Sequence, residues 1–108
     1  MASFYVLDVS MALVEQLRAP LESLRSRDPD LYRQIRAAAS SIALNAAEGN
    51  RRIGKDRLHL FRIAAGSAAE VRTALRLAAA WGDLDATSVQ AADQCLDRIL
   101  GMLHRLTH

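Results

Sequence analysis

Apolar side chains recur at alternating steps of three and four residues in four successive segments of this 108-residue chain. This spacing places them on one face of an α-helix, so each segment is expected to form an amphipathic helix with a buried seam. The four helices are expected at about residues 7–24, 29–48, 55–81 and 87–106. Joined by short turns, they predict an all-α fold, a single up-down-up-down four-helix bundle domain spanning residues 1–108.

The ends of the helices carry recognisable signals. Asp28, which is followed by a proline, is expected to cap the second helix. Gly49 is expected to end that helix in a left-handed conformation, and Gly82 is expected to stop the third helix. Thr87 and Gln90 have the spacing of a capping box, which predicts that the fourth helix begins there.

The first helix has a proline inside its apolar stripe. Pro20 removes one backbone donor and crowds the preceding turn, so a kink or a short break is expected at this point. The side chains expected to face the core from this helix are Leu7, Met11, Val14, Leu17, Leu21 and Leu24.

The third helix carries two adjacent apolar stripes. Its main seam consists of Phe61, Ala64, Ala68, Val71, Leu75 and Ala78. Its second stripe consists of Leu60, Ile63, Ser67, Glu70, Ala74, Leu77 and Trp81. A helix with two apolar faces usually contacts more than one neighbour, so this helix is expected to pack on two sides. The fourth helix has a single clean seam of Val89, Ala92, Leu96, Ile99, Leu103 and Leu106.

Basic side chains are concentrated in the middle of the chain. The whole sequence has a formal net charge of +2, but residues 31–82 contain nine basic and three acidic side chains, a net charge of +6. The segments before and after this region each have a net charge of −2. A polyanion is the natural partner of such a charge distribution. The alternative is that these arginines only solvate helix faces, and charge alone does not distinguish the two interpretations.

Targeting signals and disulfide chemistry are not indicated. The apolar run at residues 4–7 has no basic segment before it and is interrupted by Asp8, so it is unlike a signal peptide. No apolar run reaches membrane-spanning length, and the single cysteine, Cys95, excludes an internal disulfide. These features predict a cytoplasmic protein with no membrane partner.

Patterns for catalysis and metal binding are weak. Asp56 and His59 give the one approximate match to the Glu-x-x-His motif of di-iron bundles, which needs two such pairs. His104 and His108 are four residues apart, but His108 is the last residue and is expected to fray. Residues 49–55 match the spacing of a Walker A loop by accident, because Asp56 replaces the required hydroxyl and a helix replaces the preceding strand. The sequence therefore predicts no enzyme activity, no metal and no cofactor.

Three polar residues interrupt the apolar stripes. Asn45 occupies a seam position in the second helix, and Ser67 and Glu70 lie in the second stripe of the third helix. They could contact a partner, or they could form an internal hydrogen-bond network that fixes the register of the helices. We favour the network, and expect Glu70 to form an ion pair with Arg33 or Arg36.

Two motifs in combination resemble a known family. The second helix ends in Asn45-Ala46-Ala47-Glu48-Gly49 before Arg51 and Arg52, and the third helix contains Gly66-Ser67-x-x-Glu70. Over residues 7–106 the chain resembles the four-helix bundle proteins encoded in intervening sequences of bacterial 23S rRNA genes, which are related to accessory variability proteins of retroelements. By this resemblance the fold-defining positions are Asn45, Glu48, Gly49, Gly66, Ser67 and Glu70.

The resemblance implies a non-enzymatic protein that assembles as a homo-oligomeric ring, typically a homopentamer, with a basic surface for nucleic acid. The leading hypothesis is an RNA-binding or DNA-binding bundle that contacts phosphates without reading base edges. The residues predicted to bind nucleic acid are Arg33, Arg36, Arg51, Arg52, Lys55, Arg57 and Arg62. The alternative is a structural or adaptor protein that presents its surface to a protein partner such as a reverse transcriptase.

Overall fold

The computed structural model describes the backbone of residues 2–108 and the side chains of residues 5–108. Met1, where the predicted domain begins, lies outside the described residues. The helices are α1 (Ala2–Arg27), α2 (Pro29–Asn50), α3 (Gly54–Ala80) and α4 (Gln90–Thr107), with a 3₁₀ turn at Ala86–Val89 before α4. About 90% of the chain is helical, and residues 2–108 contain no strand. The predicted all-α class is confirmed.

Within the subunit, every helix packs against two others. Each helix contacts the next one along the chain, and α4 packs back against α1. Contacts between Ser41 and Ser67 and between Gly49 and Phe61 show that α2 and α3 run antiparallel. The molecule measures 42 × 22 × 20 Å, which suits four helices lying side by side. This arrangement is consistent with the predicted up-down-up-down bundle.

The core follows the predicted seams of α3 and α4. Every residue of the main seam of α3 is at most 3% exposed, and Phe61 is fully buried. The fully buried seam residues of α4 are Ala92, Leu96, Ile99 and Leu103. The alanines of α2 and α3 add little bulk between the two helices, so their backbones approach closely.

The seam of α1 differs from the prediction in its first half. Leu17, Leu21 and Leu24 are buried as expected, but Met11 is 53% exposed. The buried residues in this half are Val6, Val9, Ser10 and Leu13. The true stripe passes through Ser10, whose hydroxyl donates to the carbonyl oxygen of Val6 at 2.7 Å. Because a serine stands at a core position, the apolar pattern pointed to the neighbouring stripe instead.

Pro20 does not interrupt α1, which is continuous from Ala2 to Arg27. The short break that was one of the two expected outcomes is therefore wrong, and the other, a kink, stays a prediction. Pro20 is itself buried, and the core residues Leu17, Leu21 and Leu24 lie on either side of it. Burial of this stripe holds the helix together at a position where one backbone hydrogen bond is missing.

Two of the predicted helix ends are confirmed. The Asp28 carboxylate accepts a hydrogen bond from the backbone N–H of Leu31 at 3.0 Å, which caps α2. After α3, Gly82 has a φ of 82°. Its N–H bonds to the carbonyl of Ala79 at 3.0 Å, and the next N–H bonds to the carbonyl of Ala78 at 2.9 Å. This pair of bonds is a Schellman motif.

Two other predicted ends are wrong. Gly49 lies inside α2, which continues to Asn50, and the glycine with a positive φ in this turn is Gly54, at 62°. The α4 region begins with a 3₁₀ turn in which Asp85, not Thr87, is the cap. The Asp85 carboxylate accepts from the N–H of Thr87 at 3.3 Å, and the α-helix itself starts at Gln90.

Candidate nucleic-acid interface

Three exposed basic side chains without an ion pair in the described structure lie on the turn between α2 and α3 and on the adjoining part of α3. Arg51 follows the last residue of α2, and Lys55 lies in the first turn of α3. Arg62 is seven residues beyond Lys55, so these two side chains share one face of α3. Within residues 5–108, none of the three forms an ion pair. Their charges are therefore available to an anion in solution.

The N-terminus of α3 adds backbone donors to this site. The cap residue is Ile53, which is 87% exposed and provides no side-chain hydrogen bond to the helix. The first N–H groups of a helix carry partial positive charge and are suited to binding phosphate when no side chain caps them. Lys55 and Arg51 thus flank a helix end that itself favours an anion.

Arg33 and Arg52 both pair with carboxylates of α2, Arg33 from within the helix and Arg52 from the turn that follows it. Arg52 Nη2 lies 2.9 Å from Glu48 Oε1, and Arg33 pairs with Asp30. The side chain of Arg52 is 53% exposed, and that of Arg33 is 66% exposed. Exposed pairs of this kind are weak and screened by salt, so either guanidinium can exchange its carboxylate for a phosphate.

Arg57 has a structural position that its sequence context did not reveal. Its Nη1 lies 3.4 Å from the carbonyl oxygen of Gly49 and 3.5 Å from that of Asn50. Its guanidinium carbon is 4.9 Å from the centroid of the Phe61 ring. Arg57 therefore closes the C-terminus of α2 and packs on the core, and its predicted contact with nucleic acid stays a prediction.

The predicted residues do not form one patch. Arg33 is 18 residues before Arg51, which directly follows the end of α2, so the two are separated by about 27 Å along the axis of that helix. Arg36 is 15 residues before Arg51, or about 22 Å away, and lies at a cleft between α1 and α2. The structure groups only five of the seven near the turn. We call Arg51, Arg52, Lys55, Arg57 and Arg62 the basic end.

The polar residues in the stripes form a network between α2 and α3. The hydroxyls of Ser41 and Ser67 are 2.8 Å apart, and Asn45 Nδ2 donates to both the carbonyl and the hydroxyl oxygen of Ser41, at 2.9 and 3.0 Å. The sequence pattern did not predict that Ser41 belongs to this network, although Ser41 lies one helical turn before Asn45. The predicted ion pair of Glu70 is wrong, since this exposed carboxylate has no ion pair within the described side chains and Arg33 pairs with Asp30.

The second stripe of α3 is only partly covered. Ile63, Leu77 and Trp81 are 38%, 46% and 74% exposed. Gly66 lies among them, and a Cβ added there would meet nothing within 4 Å. On α2, Leu44 is 70% exposed. We call the exposed positions Leu44, Ile63, Gly66, Leu77 and Trp81 the outer face of α2 and α3.

No cluster of three or more metal-ligating side chains is found among residues 5–108. The rings of His104 and His108 stack with their centroids 4.0 Å apart at the end of α4. Burial raises the pKa of the Cys95 thiol, and the nearby Arg98 opposes this effect only in part, so Cys95 is a protonated thiol at neutral pH. None of the described helices combines the length and the apolar character that crossing a membrane requires.

Comparison with known proteins gives one family. The model of the family described as 23S rRNA-intervening sequence protein matches residues 3–105 of the chain. Curated proteins give no significant match. The matched range includes all of α2 and α3, the basic end and the Ser41, Asn45 and Ser67 network.

Proposed function

Since the chain belongs to the 23S rRNA-intervening sequence protein family, we propose that it is a non-enzymatic, cytoplasmic RNA-binding protein that acts as a homo-oligomeric ring. The observation that carries this proposal is the basic end. Arg51, Lys55 and Arg62 are exposed without an ion pair in the described structure. Arg51 and Lys55 lie next to the N-terminus of α3, which no side chain caps, and Arg62 lies about two turns further along that helix. Such a site suits the phosphates of a nucleic-acid backbone and carries no direct reading of bases.

The outer face of α2 and α3 supports the assembly. Glycine inside a helix costs about 0.5–1 kcal/mol relative to alanine, and no contact within the subunit requires Gly66. Beside it, Ile63 and Leu77 leave apolar surface in water. A second subunit packed closely over Gly66 would bury this surface and explain the glycine. We propose a homopentamer, the number that the family resemblance implies.

Assembly into a ring would raise the affinity of the protein for RNA, because the ring carries several copies of the basic end. One subunit offers few phosphate contacts, whereas a ring presents the same set several times at fixed separations. Contacts made to one continuous RNA then become intramolecular after the first, which raises the overall affinity without any new type of contact. The proposal therefore links RNA binding to oligomerisation.

The test is charge reversal at the basic end, read by fluorescence anisotropy with a labelled single-stranded RNA at several salt concentrations. The variant is Arg51→Glu with Lys55→Glu. The matched control is Arg98→Glu with Arg105→Glu, which changes the net charge equally at exposed positions of α4. We expect weaker binding for the first variant, with a salt slope smaller by about 1.4 if each side chain neutralises one phosphate. Equal effects of the two variants would show that only net charge matters, and would sink the proposal.

A second candidate function is favoured by Trp81. It is 74% exposed at the end of α3, next to the half-exposed Leu77, and large exposed apolar side chains often mark protein interfaces. In this alternative the protein is an adaptor for a protein partner such as a reverse transcriptase. Trp81 is the single tryptophan of the chain, so its fluorescence reports directly on this surface. A monomer in light scattering with no RNA affinity would favour the adaptor.

A further inference from the structure

A cleft of about 250 Å³ lies between α1 and α2, far from the basic end. Its floor is apolar, formed by the buried side chains of Leu17, Leu21 and Ala39 and by the half-buried Val14. Polar side chains stand at its rim: Arg18, Glu22, Tyr32, Arg36 and Ser40. The cleft is smaller than pockets of about 300–1,000 Å³ that hold drug-sized ligands, so it suits one ring-sized group.

The charged groups at the rim are not used inside the protein. Arg18, Glu22 and Arg36 are exposed, and none of them forms an ion pair with any side chain from residue 5 onward. Arg18 and Glu22 are four residues apart on α1, a spacing at which helical ion pairs commonly form. Two guanidinium groups and one carboxylate therefore face the same small space with unused hydrogen-bonding capacity.

Tyr32 gives the cleft an aromatic wall. It is half-buried, and the guanidinium carbon of Arg25 lies 5.9 Å from its ring centroid. This contact helps to hold the ring, and the rest of the side chain lines the cleft. An aromatic wall beside an apolar floor suits a flat ring, because every nucleobase has a π-face that stacks on aromatic side chains.

We propose that this cleft binds one nucleotide unit, with the base against Tyr32 and the apolar floor, the phosphate on Arg18 and Arg36, and a base N–H donated to Glu22. A bare phosphate would gain nothing from the floor and would be repelled by Glu22. A purely apolar ligand would make no use of the three charged groups at the rim. A nucleotide provides a base for the apolar floor and a phosphate for the arginines at the rim.

This inference deepens the proposed RNA binding and rests on it for the source of the nucleotide. It assigns Arg36 to the cleft and not to the basic end, from which it is separated by about 22 Å along α2. It also adds selectivity, which the basic end lacks. Carboxylates accept hydrogen bonds from the amino group of cytosine, whereas uracil presents a carbonyl oxygen at that position. We therefore expect the cleft to prefer cytosine to uracil.

The first experiment compares 12-residue oligocytidylate and oligouridylate by anisotropy, with the wild-type protein and three variants. The wild type is expected to bind oligocytidylate about fivefold more tightly, the lower end of the discrimination that one base-edge contact gives. Glu22→Gln should bring the two affinities within about twofold, and Tyr32→Leu should weaken both. The matched control is Glu15→Gln, an exposed change on α1 outside the cleft, which should keep the preference.

The second experiment separates the cleft from the basic end. Cytidine monophosphate is titrated into ¹⁵N-labelled protein, and amide shifts are expected in residues 14–22 and 32–40, which contain the cleft. Shifts there without any RNA affinity would overturn the proposed function but keep the cleft as a site for free nucleotides. RNA binding with no cytosine preference and no shifts at the cleft would overturn this inference and keep the proposed function. Thermal unfolding of Tyr32→Leu and Glu22→Gln checks that each variant is folded.

Discussion

Gly49 packs directly against Phe61 of α3, and replacing Gly49 with alanine tests this contact. A Cβ at this position would lie 2.6 Å from Phe61 Cε1 and 2.8 Å from Phe61 Cδ1. The Phe61 ring is fully buried and rigid, so it cannot move aside as the tip of a flexible side chain would. Either the ring or the backbone of α2 must shift. A shift of the ring also disturbs the Arg57 guanidinium, 4.9 Å from its centroid.

The net effect combines two opposing contributions. Alanine in place of glycine in a helix stabilises by up to about 1 kcal/mol, and by less near the end of a helix, where Gly49 lies. Overpacking a filled core costs about 1–3 kcal/mol. We therefore expect Gly49→Ala to lower the free energy of unfolding by about 1–2 kcal/mol.

Urea unfolding followed by circular dichroism measures this change. The matched control is Gly101→Ala in α4, where the nearest atom to an added Cβ is Arg105 Nη1 at 3.7 Å, an ordinary contact. Gly101→Ala should stabilise the protein by about 0.5–1 kcal/mol. Adding Phe61→Leu to Gly49→Ala should give less than the sum of the two losses, because the smaller side chain removes the clash. The reasoning is refuted if Gly49→Ala is as stable as Gly101→Ala.

Three further substitutions or treatments test other parts of the structure. Asp28→Ala removes the cap on the Leu31 N–H and should lower the free energy of unfolding by about 1 kcal/mol, whereas Asp30→Ala should change it little, as calorimetry can show. Gly66→Ala should stabilise the isolated subunit by about 0.5–1 kcal/mol in dilute solution and yet lower the mass seen by light scattering, and an unchanged mass would argue against packing over Gly66. The rate of Cys95 alkylation should be low at pH 7 and should rise at a higher pH than for a model thiol, because burial raises its pKa and the thiolate is the reactive form; equal profiles would contradict this.

The buried face of a helix was predictable from the sequence where all of its core positions are apolar. The spacing of Phe61, Val71 and Leu75 correctly predicts the buried face of α3, and all three are at most 3% exposed. Ser10 shows where the pattern misleads, since its hydroxyl is satisfied by the Val6 carbonyl and the residue is as buried as its apolar neighbours. Spacing alone does not reveal that a polar residue satisfies itself within its own helix.

The candidate site was predictable in composition but not in arrangement. The arginines could be counted from the sequence, yet Arg33 and Arg51 are 18 positions apart, which corresponds to about 27 Å along a straight helix. The role of Arg57 depends on Phe61 and on the carbonyls of the preceding helix, which meet only after the turn has formed. The sequence predicts a helix stop at Gly49 because glycine often ends a helix. In the structure, the neighbouring Phe61 ring leaves no space for a Cβ at this position.

The contact between Gly49 and Phe61 also has a consequence for the order of folding. The two residues are only 12 apart in sequence, so closing the loop between them costs little chain entropy. Contacts between α1 and α4 join opposite ends of the chain and close much longer loops. We expect the α2–α3 hairpin to form before α4, which is synthesised after it, docks to complete the bundle. The nascent chain would then present its basic turn while still attached to the ribosome.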